Sequence, residues 1–380
     1  MKFICSRQIL TKALNTVSKA VTLRTTIPIL KGILLDLNEE GILTLSASDM
    51  EISIEKRIKV EACQAGSIVV VSKLFNDIIR KLPEGAITIE RKEDNKVFIK
   101  SAGSEFNIIG IASEEFPKIL DMEDETYSIS FYKNDFTDMI KKTSFAASID
   151  ESKGVITGVL TELEAENINM VALDGFRMSV VHKNIKNAEE RKIIINSKII
   201  NEIRNIIGDS NTEEAVNMQV GKKKAIVEFD NTMIVIRLLE GDFIKYKDII
   251  PENNPIKVIV NRFEFLESIE RASLLAKEGK NNLIKISVQN NLMKITSRSE
   301  EGNVKEEITV EKEGENIEIG FNSRYLIDAV KVIDDESISL AFNTSTSPCL
   351  ITPLEGNEYE YLILHQHSAS AIHLPLHLSL

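Results

Sequence analysis

Apolar and polar positions along this chain follow a pattern that returns three times. It is plainest at residues 72–82 (SKLFNDIIRKL), 197–207 (SKIINEIRNII) and 323–333 (SRYLIDAVKVI), spaced 125 and 126 residues apart. Each stretch follows a short apolar run (68–71, 193–195 and, in broken form, 317–321) and opens on a serine. Lys or Arg comes next, and an acid stands five positions after the serine (Asp77, Glu202, Asp328). A serine hydroxyl there can accept from a free backbone N–H, so the pattern predicts strand, serine N-cap, helix. At 100° per residue Leu74, Phe75, Ile78, Ile79 and Leu82 share one arc, with Lys73, Asn76, Asp77, Arg80 and Lys81 opposite.

A second set of helices is predicted at 6–21, 133–148 and 261–276, starting at nearly the same period. In the first of them Ile9, Leu10, Ala13, Leu14 and Val17 form the apolar stripe. Between the helices, alternating segments read as short strands: 2–5, 32–37, 43–47, 51–60, 86–91, 96–101 and 105–111 in the first round. The second round has 127–131, 154–163, 168–172, 178–182, 215–220, 225–229 and 232–238, and the third opens at 256–260. Turn-rich pieces such as LNEEG and SASD separate them. The acidic stretch 121–125 and the proline-bearing IIPENNP read as linkers. The expected domains are 1–122, 123–252 and 253–364, with a tail at 365–380. The expected fold is α+β, three tandem similar domains of two strand–helix–strands units each. Antiparallel sheets lie outside and the helices' apolar faces pack on them, so the basic faces gather on one surface. If the domains curve, that surface is the inner wall of an arc.

Charge sharpens this picture. The 380 residues carry a net −12. The six helical stretches hold 15 Lys and Arg against 8 Asp and Glu, a local +7 that leaves −19 for the rest. An acidic chain with its positive charge collected on helices fits a local electrostatic footprint. Trp is absent and the basic faces have few aromatics, so single-stranded bases find little to stack on. Helix-turn-helix and zinc-finger signatures are missing too, which leaves weak, salt-sensitive contact with duplex phosphates.

Catalytic motifs are scarce: there is no G-x-x-x-x-G-K-[ST], H-E-x-x-H or G-x-S-x-G. Asp174, in ALDGFRMS, could be a catalytic carboxylate, but Asp-Gly makes a tight turn and Asp49 stands 125 residues earlier at the matching place. Cys5, Cys63 and Cys349 form neither a disulfide framework nor a zinc spacing. No apolar run is long enough to span a bilayer, and the start lacks a secretory core, so a cytoplasmic location is expected. Four of five histidines (His365, His367, His373, His377) lie in the last sixteen residues, in a tail without Lys, Arg, Asp or Glu. A metal site is one reading of it; a segment foreign to the preceding domain is the other.

Several stretches taken in order resemble the bacterial sliding clamp, the β subunit of the DNA polymerase III holoenzyme. They are MKF…IL, TIPIL (26–30), LTLSASDMEISIE (43–55), ALDGFRMS (172–179), EGDFIKYKDIIP (240–251), IGFNSRYLIDAV (319–330) and EYLIL (360–364). The resemblance implies a non-catalytic processivity factor without cofactor or metal. It would be a head-to-tail homodimer whose ring holds double-stranded DNA, with basic helices lining the hole. It implies DNA contacts at Arg7, Arg24, Lys73, Arg80, Lys153, Lys198 and Lys331. The implied dimer seam uses Phe106, Leu274 and Leu275. A pocket between the second and third domains would be lined by Ile156, Leu173, Gly175, Phe176, Arg177, Met178, Ile249, Asn322, Tyr325, Ser347, Leu362, Ile363 and Leu364. It would take short apolar-aromatic peptides from the replicative polymerase, clamp loader, translesion polymerases and mismatch-repair proteins. Two departures stand out: Ile244 replaces the family's usual proline, and 365–368 replace its Pro-x-Arg-Leu type ending. The competing readings are a hydrolase built on Asp174 and an oligomeric scaffold without DNA.

Overall fold

The structure is a computed structural model that describes residues 1–22, 24–119, 126–185, 190–210, 215–279 and 281–366. The chain forms two compact units, one of residues 1–136 with 202–238, the other of residues 137–201 with 239 onward. The six predicted helices are present as α1 (Arg7–Val17), α2 (Ser72–Lys81), α3 (Lys133–Thr143), α4 (Ser197–Asp209), α5 (Arg262–Glu278) and α6 (Ser323–Val330).

The first unit contains two antiparallel sheets. One has the spatial order Glu61–Gln64, Lys2–Ser6, Ala86–Arg91, Lys96–Ser101, Ser104–Ile109. The other runs Tyr127–Phe131, Val216–Val220, Lys224–Phe229, Thr232–Arg237, Ile52–Lys59, Ile42–Ser48, Gly32–Leu37, Gly66–Val71. Alternation drives these strands, as in Tyr127, Ile129 and Phe131, which are buried while Ser128 and Ser130 are exposed.

The second unit repeats the plan. Its larger sheet runs Arg191–Asn196, Gly158–Leu163, Asn167–Leu173, Arg177–Asn184, Tyr359–Ile363, Cys349–Thr352, Ser337–Phe342, Ile256–Asn261, Glu311–Glu313. Its smaller sheet runs Gly302–Thr309, Leu292–Ser299, Leu283–Gln289, Ile317–Asn322.

In both large sheets a strand of one sequence repeat pairs with a strand of the next. Ile52–Lys59 pairs with Thr232–Arg237, setting Ile54 opposite Ile234. Arg177–Asn184 pairs with Tyr359–Ile363 in the same way, setting Ser179 opposite Tyr361. The matching strands at the two ends of the repeat, Ser104–Ile109 and Gly302–Thr309, are each the last strand of their sheet.

The helices lie as the arcs foresee, with corrections. Phe75, Ile78, Ile79 and Leu82 are buried beneath α2, and Leu10, Ala13, Leu14 and Val17 beneath α1. Leu74 and Ile9 are about half exposed, at the margins of their stripes. The repeated serines are not the caps. They are the first helical residues, with Ser72 and Ser323 buried. Asparagines one place earlier do the capping: Asn196 Oδ1 accepts from Lys198 N at 2.9 Å and Asn322 Oδ1 from Arg324 N at 3.0 Å. Asn261 caps α5, accepting from Phe263 N and Glu264 N. In the first copy Val71 holds that position without a side-chain bond.

The helix pairs of the first two repeats are joined by one recurring bond, Asn76 Nδ2 to Ser18 Oγ at 2.9 Å and Ser144 Oγ to Asn201 Oδ1 at 3.1 Å. The predicted strand at 154–163 begins only at Gly158; Glu151–Thr157 is 3₁₀ helix, with Gly154 at φ 59°.

Asn261→Ala should destabilise the protein by about 1 kcal/mol in urea unfolding, and Asn261→Ser should restore most of the loss, because a serine can make the same cap.

Candidate functional site

The site in the second unit is built on a turn. Asp174 Oδ1 accepts from Phe176 N at 2.8 Å and Arg177 N at 3.1 Å, and Gly175 sits at φ 95°, where a Cβ is disfavoured. The same turn recurs at Asp49, which accepts from Glu51 N at 2.9 Å and Ile52 N at 2.8 Å, with Met50 at φ 79°. Asp174 is therefore a turn-former in an ion pair. Its Oδ2 takes Arg177 Nε at 3.1 Å, while Arg177 Nη1 reaches Asp328 Oδ2 on α6 at 2.8 Å. The Arg177 side chain is only 9% exposed. Its guanidinium lies 4.8 Å from the Tyr325 ring centroid and 5.4 Å from that of Phe145. Phe176 stacks on Tyr325 with centroids 6.1 Å apart. Burial, and then the nearby Asp174 charge, push the Tyr325 hydroxyl's pKa up.

Beside this aromatic rim lies an apolar floor. Leu173, Met178 and Leu362 belong to one buried cluster, with Ile156 and Ile249 partly buried against it. Met178 and Leu362 are direct cross-strand neighbours. The wall at 364–366 is held on two sides: Leu364 N donates to Phe176 O at 2.9 Å, and Gln366 N to Gly320 O at 2.7 Å. The altered ending thus keeps a backbone wall at least to Gln366; His367, His373 and His377 lie outside the described residues. Of the remaining residues named from sequence, Asn322 caps α6 and Ser347 N bonds to Thr344 O. Ile363 is fully buried and, by strand alternation, faces away from Leu362 and the floor.

The sequence reading missed several neighbours. Phe243, Ile244, Ile250 and Leu350 also pack on the cluster, and Tyr246 lies within it. Ile244, the replacement for a proline, fills floor space. Beneath Tyr246, Glu162 is buried and gathers hydrogen bonds from Lys192 (2.6 Å), Tyr246 (2.7 Å) and Asn169 (3.3 Å). Burial alone would raise the Glu162 pKa, but these bonds and the Lys247 charge outweigh it and hold the carboxyl at about 2. The signal for Phe243, Ile244, Tyr246 and Ile250 was the aromatic and aliphatic content of FIKYKDII, which has no regular period.

The basic residues differ in how free they are. In the first unit Arg24 and Lys73 are exposed. Arg80 pairs with Asp77 at 2.8 Å. Arg7 is used inside the fold: its Nη1 donates to Arg80 O (2.9 Å) and Leu82 O (3.1 Å) at the end of α2, and its Nη2 pairs with Glu84. In the second unit Lys198 pairs with Glu151 at 2.5 Å, Lys331 with Asp328 at 3.2 Å, and Lys153 Nζ lies 6.0 Å from the Phe176 ring centroid. Phe106, on the last strand of the five-stranded sheet, is 39% exposed, and Ile109 on the same strand 78%. On α5, Leu274 is 64% exposed and Leu275 half-buried. Among the described residues, no three His, Cys, Asp or Glu are grouped to hold a metal, and no helix is long and apolar enough to cross a membrane.

Family models for the DNA polymerase III beta subunit match the chain three times: the N-terminal domain at 1–121, the central domain at 130–245 and the C-terminal domain at 247–367. The beta sliding clamp of Staphylococcus epidermidis is 34% identical over 378 residues, covering 96% of this chain and 98% of that one. The beta sliding clamp of Halalkalibacterium halodurans is 35% identical, covering 95% and 98%. The crystal structure of the Bacillus subtilis DNA polymerase sliding clamp superposes with a TM-score of 0.93 at 31% identity, covering 97% and 100%.

Arg177→Ala would leave two half-screened carboxylates facing each other. It should cost about 3 kcal/mol, read as a lower urea midpoint, whereas Lys198→Ala, which breaks an exposed pair, should cost under about 1 kcal/mol.

Proposed function

The chain belongs to the bacterial sliding-clamp family, the β subunit of DNA polymerase III, and from that premise we propose how its surfaces share the work. As a clamp it is a non-catalytic processivity factor for DNA replication. The proposed domains are 1–122, 123–252 and 253–364.

The observation that carries the proposal is the pair of unfinished sheets. Twice in the chain, a strand of one repeat is completed by the strand that ends the next repeat's sheet. The two strands left over, Ser104–Ile109 and Gly302–Thr309, are the counterparts of those that pair. A second copy in head-to-tail orientation completes both at once under two-fold symmetry, and the ring closes. Transferring the internal register, with Ser179 going to Val304 and Ile234 to Phe106, sets Phe106 opposite Val304 of the partner subunit. The exposed Leu274, with Leu275 beside it on α5, extends the seam as an apolar patch.

Duplex DNA occupies the ring. Arg24, Lys73 and Lys153 are its first contacts, Arg80 and Lys198 join by exchanging exposed carboxylate partners for phosphates, and Lys331 adds its charge from beside the partly buried Asp328. Arg7 supports α2 from behind and takes part less directly. Retention is topological, so phosphate contacts orient the duplex without reading sequence.

The rim of Phe176, Arg177 and Tyr325 and the floor of Leu173, Met178 and Leu362 receive short apolar-aromatic peptides. Polymerase is the first such partner, followed by clamp loader, translesion polymerases and mismatch-repair proteins.

Two experiments test this reading. Phe106→Asp with Leu274→Asp should convert the dimer to monomer in sedimentation and abolish retention on closed circular DNA, while wild-type clamp escapes from linear DNA with free ends; equal retention on both templates would defeat the topological reading. Tyr325→Ala should weaken a fluorescein-labelled pentapeptide ending in Leu-Phe by more than about tenfold, and unchanged anisotropy titrations would remove the pocket assignment.

A further inference from the structure

We infer that the buried bond between Tyr246 and Glu162 sets the affinity of the peptide pocket by holding one of its walls in place. This rests on the pocket reading above and adds a pair of positioning residues beneath it.

The wall is the segment 239–250. Leu239, Phe243, Ile244, Ile249 and Ile250 all pack from it against the cluster that forms the floor. A backbone bond ties the start of the wall to the sheet, Leu239 N to Ile194 O at 2.8 Å, whereas those at Tyr246 N to Ile244 O (2.7 Å) and Asp248 N to Lys245 O (3.2 Å) are local to the 3₁₀ turn Tyr246–Ile249. The turn is fastened to the sheet by side chains. Tyr246 pushes its ring into the cluster and its hydroxyl through to Glu162 Oε2 at 2.7 Å, and Lys247 reaches Glu164 at 3.1 Å and Glu162 at 3.6 Å.

Glu162 is itself over-determined. It sits on Gly158–Leu163, is only 4% exposed, and is bonded to Lys192 on the neighbouring strand on one side and to Asn169 on the other. Asn169 in turn bonds His182 Nδ1 at 2.7 Å. A carboxylate fixed from three strands is a rigid acceptor, and a charged acceptor bonded to a buried hydroxyl is among the stronger single hydrogen bonds. Ile249 lies three residues beyond Tyr246 on the same turn, so the hydroxyl bond fixes the height of a floor residue over the groove. Without it, the wall would have to be ordered when peptide binds, at a cost in affinity.

The test is anisotropy titration of the same fluorescein-labelled Leu-Phe pentapeptide against full-length variants. Tyr246→Phe and Glu162→Ala should each weaken binding about five- to tenfold, and the double variant should be no weaker than Glu162→Ala, since both remove the same Tyr246–Glu162 bond and the other bonds of Glu162 are already gone in Glu162→Ala. Glu162→Gln, which keeps an acceptor, should recover most of the affinity. Val97→Ala, a buried change in the first unit, provides a destabilised control and should bind peptide like wild type.

Wild-type affinity in Tyr246→Phe would overturn the inference and leave the pocket standing. Equal loss in Val97→Ala, or full additivity in the double variant, would also overturn it. Absence of peptide binding by the wild-type chain would overturn the pocket reading and this inference together.

Discussion

The backbone ladder that carries one repeat into the next is the constraint on which the rest depends. A strand's outer N–H and C=O groups need partners wherever water is kept away, and this chain provides them by ending each repeat with a strand fitted to its neighbour. Ile52–Lys59 and Arg177–Asn184 are met in equivalent register by Thr232–Arg237 and Tyr359–Ile363. Even the first bond outside each ladder is repeated: Glu51 O accepts from Arg237 N at 3.0 Å, and Phe176 O from Leu364 N at 2.9 Å. The linkers are consequently minor features, because continuity comes from hydrogen bonds between strands and not from the peptide that joins them.

The peptide pocket is a local variation on that junction. At the first junction the turn is Asp49, Met50, Glu51, and the place equivalent to Arg177 is the buried Ile52. At the second junction Gly175 removes a side chain, Phe176 turns an aromatic face outward, and Arg177 is drawn down between Asp174 and Asp328. A buried arginine with two carboxylates adds little net stability over an apolar filling, but it fixes α6 and the turn in one arrangement. Tyr325, on the first turn of α6, is thereby held at stacking distance from Phe176. The same ladder lays Met178 beside Leu362 and so makes the floor.

Much of this was legible in sequence because it is periodic. Three copies of one helix pattern gave the α+β plan, and Asp49 at the place of Asp174 marked a turn where a lone aspartate would have invited a catalytic reading. What was misread follows from local ambiguity. Ser197 and Ser323 look like caps, yet Asn196 and Asn322 immediately before them are equally good and win, and Ser72, preceded by Val71, is likewise the first helical residue, buried as Ser323 is. Arg7 looked like a free cation on a basic face; only the fold brings it to the carbonyls of Arg80 and Leu82, where the negative end of α2 attracts it. The Glu162–Tyr246 bond spans 84 residues between a strand and an aperiodic loop, and no local pattern announces such a contact.

The charge distribution bears on why the proposed contact with DNA would be weak. Arg80 and Lys198 are exposed but each already has an exposed carboxylate within 2.8 Å. Releasing such a partner costs little, because an exposed pair is worth at most about 1 kcal/mol, and a phosphate taken in its place returns a similar amount. The exchange is nearly neutral, so a duplex can shift from one set of cations to the next without climbing out of a deep well. With contacts this shallow, hold on the DNA has to come from the closed ladder, and the strength of the seam between two copies sets how long the protein stays on its template.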